Sequence, residues 1–346
     1  MKKHSFVTLI SAICLVILLS ACGNNVGNGG TNTQPSASPE ASAAAEQNGA
    51  ANNGQQGEAA PKFPRTIKAA NGDITIAEQP KKVAVVHWGY GDSLLLFNLE
   101  SVGIALPFTE AQSVLHSESY KPYVDKVKEL EIVGENTTVH MEGLLAYGPD
   151  LIIAGSSVNG EIAEQLEKIA TTVVIDEAVT DVWSNWQALV TEFGHILGQE
   201  EVAEKYIADY NAKVQEAKEK LADVKGSVAF LQVRDNAVWL QGANYLKPYY
   251  EGMGLQAPEG DAQGEGAELS LEGLVALNPD HLFLGYFNYE DKSLSALTDE
   301  WEKSEVWSQL KAVQNKQVYA INGQLALGYG PIGNIYGVNA VLEALE

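Results

Sequence analysis

Two stretches of this chain repeat each other without a gap. Residues 141–155 read MEGLLAYGPDLIIAG, and residues 271–285 read LEGLVALNPDHLFLG. Glu142 aligns with Glu272, Leu144 with Leu274, Pro149-Asp150 with Pro279-Asp280, and Gly155 with Gly285, always 130 positions apart. Each copy predicts a short helix, a Pro-Asp break and a buried apolar strand. A period of that length is far too long for a solenoid unit and points to two lobes of similar α/β build.

The rest of the body fits that division. Apolar, β-branched runs predict strands over 83–86, 173–175, 227–233 and 318–321, and helical patterns over 92–98, 161–169, 183–197, 305–313 and 335–345 lie between them. Alternating strands and helices predict parallel sheets with helices on both faces. The longest helical pattern covers 199–223, where Ala203, Tyr206, Ile207, Tyr210, Val214, Ala217 and Leu221 fall on one stripe between Gly198 and Gly226. Such a helix spans roughly 35 Å. It has too few heptads for a coiled-coil seam and reads better as a rigid strut. The expected division is an N-terminal lobe over 61–180, a connecting helical segment over 181–225 and a C-terminal lobe over 226–346.

The N-terminus has a different character. Lys2 and Lys3 precede an apolar run over 5–19, the pattern of an export signal and short for a membrane span. Leu19-Ser20-Ala21-Cys22 resembles the bacterial lipobox, which implies cleavage after residue 21 and acylation of Cys22. Residues 23–60 are rich in Gly, Asn, Ala, Ser and Gln with one Val, a composition that builds no core, and predict a disordered tether or spacer. The expected location is the extracellular face of the cell membrane, held there by lipid alone. Beyond Cys14 and Cys22 the chain has no thiol, which excludes disulfides, zinc-thiolate sites and cysteine nucleophiles in the body. With 22 Lys+Arg against 45 Asp+Glu the formal charge is −23, which argues against nucleic acid and against adsorption to anionic lipid.

Several segments from residue 80 onward together resemble the iron-siderophore and cobalamin substrate-binding proteins of ABC importers. They are Pro80-Lys81-Lys82-Val83-Ala84-Val85-Val86, then 92–99 with Val102-Gly103-Ile104, then both Glu-x-Leu-x-Ala-x-x-Pro-Asp copies, and last 307–319. The resemblance implies the helical-backbone periplasmic-binding-protein fold: two Rossmann-like α/β lobes with parallel sheets, joined by a single long connecting helix. It also implies a ligand held between the lobes, little lobe motion on binding, and a monomer working with a permease and its ATPase. In that family one Glu on each lobe docks onto permease arginines, and the matching residues are Glu142 and Glu272. A first-turn Glu that merely complements its helix dipole is the alternative.

Ligands of open parallel sheets sit beyond the carboxyl ends of the strands. His87-Trp88-Gly89-Tyr90-Gly91-Asp92 is the first such loop, so Trp88 and Tyr90 are candidate contacts, with ordinary packing as the alternative. Arg234, one of only two arginines with Arg65, ends the predicted strand over 227–233. It either grips ligand oxygens with its planar fork or pairs with an acid such as Asp235. Tyr286 in a second aromatic loop, with Tyr245 and Tyr329, completes the candidate set. No His pair has metal-ligand spacing, so no direct metal site and no resident cofactor are expected. His87 and His116 are the histidines placed to face the cleft. The iron would arrive chelated, and the scarcity of basic residues favours a hydroxamate or citrate-hydroxamate complex over a triscatecholate. Cobalamin or haem as ligand remains open. A surface hydrolase or adhesin fits less well, since no nucleophile motif is present. Gly328-Tyr329-Gly330-Pro331-Ile332-Gly333 matches a dinucleotide pattern but has no room after it for a βαβ unit.

Overall fold

A computed structural model describes residues 62–183, 185–260 and 264–346, all within one compact unit, Ala59–Glu346. The export signal, Cys22 and the whole of the tether lie outside the described residues. The chain enters through a hairpin of β1 (Arg65–Ala69) and β2 (Gly72–Ile76). The first large sheet then takes β3 (Lys82–Val85), β4 (Ser101–Ala105), β5 (Glu129–Glu135), β6 (Thr138–Val139), β7 (Leu151–Gly155) and β8 (Thr171–Ile175), in the order β6-β5-β4-β3-β7-β8. All are parallel except β6, which pairs antiparallel at the edge. Helix α1 (Gly91–Leu95) follows β3, and α2 (Met141–Tyr147) precedes β7. Every residue of β7 is buried, as expected for a strand covered on both faces.

Two helices connect this sheet to the next, α3 (Trp186–Leu197) and α4 (Glu200–Lys220). The chain turns between them at Gly198, in the left-handed region at φ +67°, where a Cβ would lie 2.7 Å from the Phe63 ring. The connection is therefore a helix pair in which the 21-residue α4 is the long member.

The second sheet contains β9 (Val228–Val233), β10 (Val238–Gln241), β11 (Gly266–Glu268), β12 (His281–Tyr286) and β13 (Val318–Asn322), ordered β11-β10-β9-β12-β13. β9, β12 and β13 are parallel, and β10 and β11 extend them as antiparallel strands on one side. The short return from β9 to β10 through Arg234–Ala237 leaves no room for a crossover helix and forces antiparallel pairing. Helix α5 (Leu271–Leu277) precedes β12, and α6 (Pro331–Leu345) closes the chain. It starts four residues before its predicted position because Pro331 occupies the first turn, where the missing N–H costs nothing. The helical pattern over 305–313 breaks into two short turns at Leu310, whose backbone is extended.

The sequence repeat has one physical meaning in both sheets. Asp150 accepts hydrogen bonds from the backbone N–H groups of Lys81 (3.0 Å) and Lys82 (3.2 Å), at the start of β3. Asp280 accepts from the Ser227 N–H (2.9 Å) and hydroxyl (3.2 Å), at the start of β9. Each Pro-Asp thus ties the repeat strand to its central neighbour. Gly148 (φ +62°) and Asn278 (φ +42°) end α2 and α5 in matching left-handed caps. The inner faces share one apolar core that runs from Val83 and Leu151 through α3, α4 and α6 to Phe230 and Phe283. The outer faces keep separate small cores around Leu144 and Leu274.

Candidate ligand cleft

The carboxyl ends of β3, β4, β9, β12 and β13 open onto one cleft of about 340 Å³. Its N-terminal wall comes from Trp88, Asp92 and the 104–115 segment. Its C-terminal wall comes from Gln232, Arg234, Phe287, Gln324 and Tyr329. Apolar lining with a few polar groups is the usual build of a small-molecule site.

The loop after β3 is fixed from beneath by His87. This fully buried imidazole accepts the Gly89 N–H at Nδ1 (2.9 Å) and meets Glu177 Oε1 at Nε2 (3.1 Å). Because Nδ1 accepts, the proton sits on Nε2 and the ring is neutral. Burial lowers the His87 pKa, and the nearby Glu177 only partly opposes this. Glu177 in turn accepts the Ser157 N–H at 2.7 Å. His87 is thus a buried post under the loop, with no access to the cleft. His116 is exposed and bonded to Glu110. No His, Cys, Asp or Glu cluster able to hold a metal exists among the described residues.

The loop's two aromatics part company. Trp88 lines the cleft and sits 4.7 Å from Trp183 and 5.7 Å from Tyr329, centroid to centroid. Tyr90 turns inward through a bond from its N–H to the His87 carbonyl, stacks on His87 at 4.0 Å and meets Phe193 edge-on. It is 0% exposed and its hydroxyl has no partner among the described residues, so Tyr90 is a core residue and leaves the contact set.

On the opposite wall Arg234 is exposed, and its guanidinium lies 4.5 Å over the Phe287 ring. It makes no ion pair with any acid among the described residues, which removes the Asp235 alternative. Tyr286 is a second correction. Along β12, Leu282, Leu284 and Tyr286 face the outer core, so the Tyr286 ring packs there, beneath Lys292 and beside Thr298. The next residue, Phe287, faces the cleft in its place. Tyr329 and Tyr245 line the cleft. The Tyr245 hydroxyl donates to the Leu327 carbonyl at 3.2 Å, and burial pushes its pKa up to about 12. Burial also raises the Tyr329 pKa, so both phenols stay protonated donors near neutral pH.

Asp92, Trp183, Phe287 and Gln324 were not among the sequence candidates. The Asp92 carboxylate accepts the N–H groups of Ile332 and Gly333 at the start of α6 and the hydroxyl of Tyr120. From the first turn of α1, beside the first sheet, it caps a helix that follows the second. Burial raises its pKa despite these bonds. A Cβ on Gly330 would collide with this carboxylate, which explains one glycine of the false dinucleotide pattern.

Away from the cleft lining, Glu142 and Glu272 stand on the first turns of α2 and α5. Both are exposed, and neither makes an ion pair among the described residues. Among the described residues no helix is long and apolar enough to cross a membrane.

A family model described as periplasmic binding protein matches residues 83–325. The chain is 28% identical to the iron(3+)-hydroxamate-binding protein YxeB of Bacillus subtilis (strain 168) over 362 aligned positions, covering 100% of this chain and 97% of the relative. It is also 28% identical to the iron(3+)-hydroxamate-binding protein FhuD of the same organism, covering 90% and 88%. Among solved structures it is similar to a FhuD fold-family periplasmic binding protein from a Fep/Fec-like ferrichrome ABC transporter of Bacillus subtilis. That likeness has a TM-score of 0.63 and 27% identity, with 81% of this chain and 99% of that one covered.

Proposed function

The chain belongs to the periplasmic binding protein family, and from that premise we propose that it captures a ferric siderophore of hydroxamate or citrate-hydroxamate type for an ABC importer. One observation carries the choice of ligand. Arg234 is the single Lys or Arg in the cleft lining among the described residues, and no carboxylate among them pairs with its guanidinium. A fork of guanidinium donors held flat on Phe287 suits the oxygen rim of a ferric chelate. One cation suffices for a neutral or weakly charged complex, whereas a highly anionic triscatecholate calls for several. Trp88 and Tyr329 would contact the hydrocarbon arms of the ligand, and Tyr245 would offer its phenol edge. The names of the two hydroxamate-binding relatives support the same reading.

The remaining roles complete the proposal. The division into lobes 61–180 and 226–346 with a connector over 181–225 places the cleft between them. Glu142 and Glu272 dock the loaded protein onto arginines of the permease, which works with an ATPase. Cys22 carries the lipid that anchors the protein, as a monomer, to the extracellular face of the membrane. The protein binds and releases its cargo without chemistry, and needs no cofactor of its own.

Tryptophan emission tests the reading, because Trp88 lines the cleft and Trp183 packs against the Trp88 ring. Titration with a ferric trihydroxamate, ferric citrate, a ferric triscatecholate, haem and cobalamin should give saturable quenching, tightest with the hydroxamate or citrate complex. Tighter binding of the triscatecholate would overturn the ligand class. Preference for haem or cobalamin would overturn iron-chelate capture.

A further inference from the structure

Tyr245, Gly328 and Tyr329 have two faces. One lines the cleft above, and the other walls a second cavity of about 620 Å³ that the proposed iron-chelate site does not use. This cavity lies against α3 and α4 and the 244–252 segment. Its polar lining is dominated by carboxamides, each bonded to the protein through one of its two polar atoms. Asn185 Oδ1 accepts the Ala188 N–H at 3.1 Å. Gln187 Nε2 donates to Asn211 Oδ1 at 3.1 Å. Asn244 Nδ2 donates to Glu265 at 2.7 Å, and Asn334 Nδ2 to the Gly330 carbonyl at 2.9 Å.

These bonds fix the orientation of each amide and leave its other polar atom unpartnered among the described residues. The free groups are two donors, Nδ2 of Asn185 and of Asn211, and three acceptors, Oε1 of Gln187 and Oδ1 of Asn244 and Asn334. The charged groups at the cavity are few and of both signs, Lys247 with Glu251 and Glu265. The apolar part of the lining is mainly aromatic, with Trp183, Trp186 and Tyr210 beside the two shared tyrosines. Trp186 is held edge-to-face by Tyr210 at 4.9 Å, which fixes the ring before any ligand arrives.

A set of fixed, uncharged donors and acceptors beside aromatic rings matches one ligand chemistry well. A hydroxyl both donates and accepts, so a polyol satisfies either kind of free amide group. The C–H face of a pyranose ring supplies apolar surface for indole and phenol. An anion would find one lysine against two carboxylates, and a cation would find no desolvated acid pair. We infer that this second cavity is a binding site for a neutral saccharide of two or three pyranose units, separate from the iron-chelate cleft and sharing the Tyr245–Tyr329 wall with it.

Saturation-transfer difference NMR on the purified protein tests this with chitotriose and maltotriose as probes and trialanine as the peptide control. The expected result is saturation transfer to the ring protons of at least one trisaccharide and none to trialanine. Gln187→Leu with Asn211→Leu, both on helix surfaces, should weaken saccharide binding by at least about tenfold. Asn244→Leu, on a separate segment, should weaken it independently. Both variants should bind a ferric trihydroxamate within about twofold of wild type, since neither touches the Arg234 cleft. The inference is overturned by no transfer at millimolar saccharide, by transfer that both variants leave unchanged, or by preference for trialanine. The ferric hydroxamate titration run alongside keeps a failure here distinct from a failure of the iron-chelate reading.

Discussion

At the scale of single residues, the cleft depends on groups that never touch a ligand. His87 holds the Trp88 loop only while its Nδ1 is unprotonated, because that atom accepts the Gly89 N–H. Its folded pKa lies below the ordinary histidine value through burial. The stabilisation is therefore fully present above the unfolded pKa of about 6.5 and is lost as pH falls through the lower folded value. Thermal melts between pH about 7 and about 5 should show a steeper loss for wild type than for His87→Gln, which has no such proton to take up. Equal slopes would refute the assignment. Tyr90 makes a contrasting prediction. Its hydroxyl is buried without a partner, so Tyr90→Phe should raise stability by about 1 kcal/mol and leave ferric hydroxamate binding within about twofold. Arg234→Lys keeps the charge but loses the fork and the flat seat on Phe287, and should weaken that binding by about tenfold or more. Weakened binding in the Tyr90 variant, or unchanged binding in the Arg234 variant, would reverse their roles. These residues also mark where sequence reading fails. An aromatic pair at a strand end is visible in one dimension, but which ring faces the cleft is not. The turn from His87 to Tyr90 sends Tyr90 inward. The parity of β12 sends Tyr286 outward and gives the cleft Phe287.

At the scale of elements, the repeated Pro-Asp was legible because its work is local. A helix of seven residues, a left-handed cap and an aspartate fastening the next strand recur as a unit, so the spacing in sequence equals the spacing in function. Asp150→Ala and Asp280→Ala should each cost about 1–3 kcal/mol, the range for hydrogen bonds to a charged acceptor, tempered by partial exposure. The Asp280 contribution should carry an acid signature. The Ser227 N–H holds its pKa below the ordinary aspartate value, so the stabilisation is present above the unfolded pKa and lost as pH falls through the folded one. Denaturant melts of Asp280→Asn at neutral and acid pH check this, and a difference from wild type that does not shrink in acid would sink it. Element ends were less legible, for a physical reason. Leu310 breaks the helical pattern over 305–313, and Pro331 starts α6 early, because backbone conformation at one residue decides each boundary. The tie from Asp92 to α6 could not be read at all, since more than 230 positions separate its partners.

At the scale of the whole molecule, the two equivalent helices each present one exposed glutamate, the pair proposed as handles for a partner. α2 leads directly into β7 and α5 into β12, so Glu142 and Glu272 hold equivalent positions relative to their own repeat strands. Neither is consumed by an internal ion pair among the described residues, and each is exposed. A partner with two suitably spaced arginines would therefore read both sheets at once. The surrounding core is continuous across α3, α4 and α6, and Asp92 pins α1 to the last helix. The spacing between the handles is thus held by packed structure, which is what a two-point grip requires, because a linkage that flexed would lose the gain of the second contact. Replacing one glutamate with alanine should weaken association with the permease by about tenfold, the scale of one exposed charge-assisted pair at an interface. Replacing both should lower it by about a hundredfold and abolish uptake of the iron chelate, while tryptophan-monitored ligand binding stays within about twofold. Association measured on permease in lipid nanodiscs, beside fluorescence titration of the same variants, separates the two effects. Loss of ligand binding in the double variant would return these residues to helix-dipole partners of a structural kind. Unchanged association would remove them from the docking surface altogether.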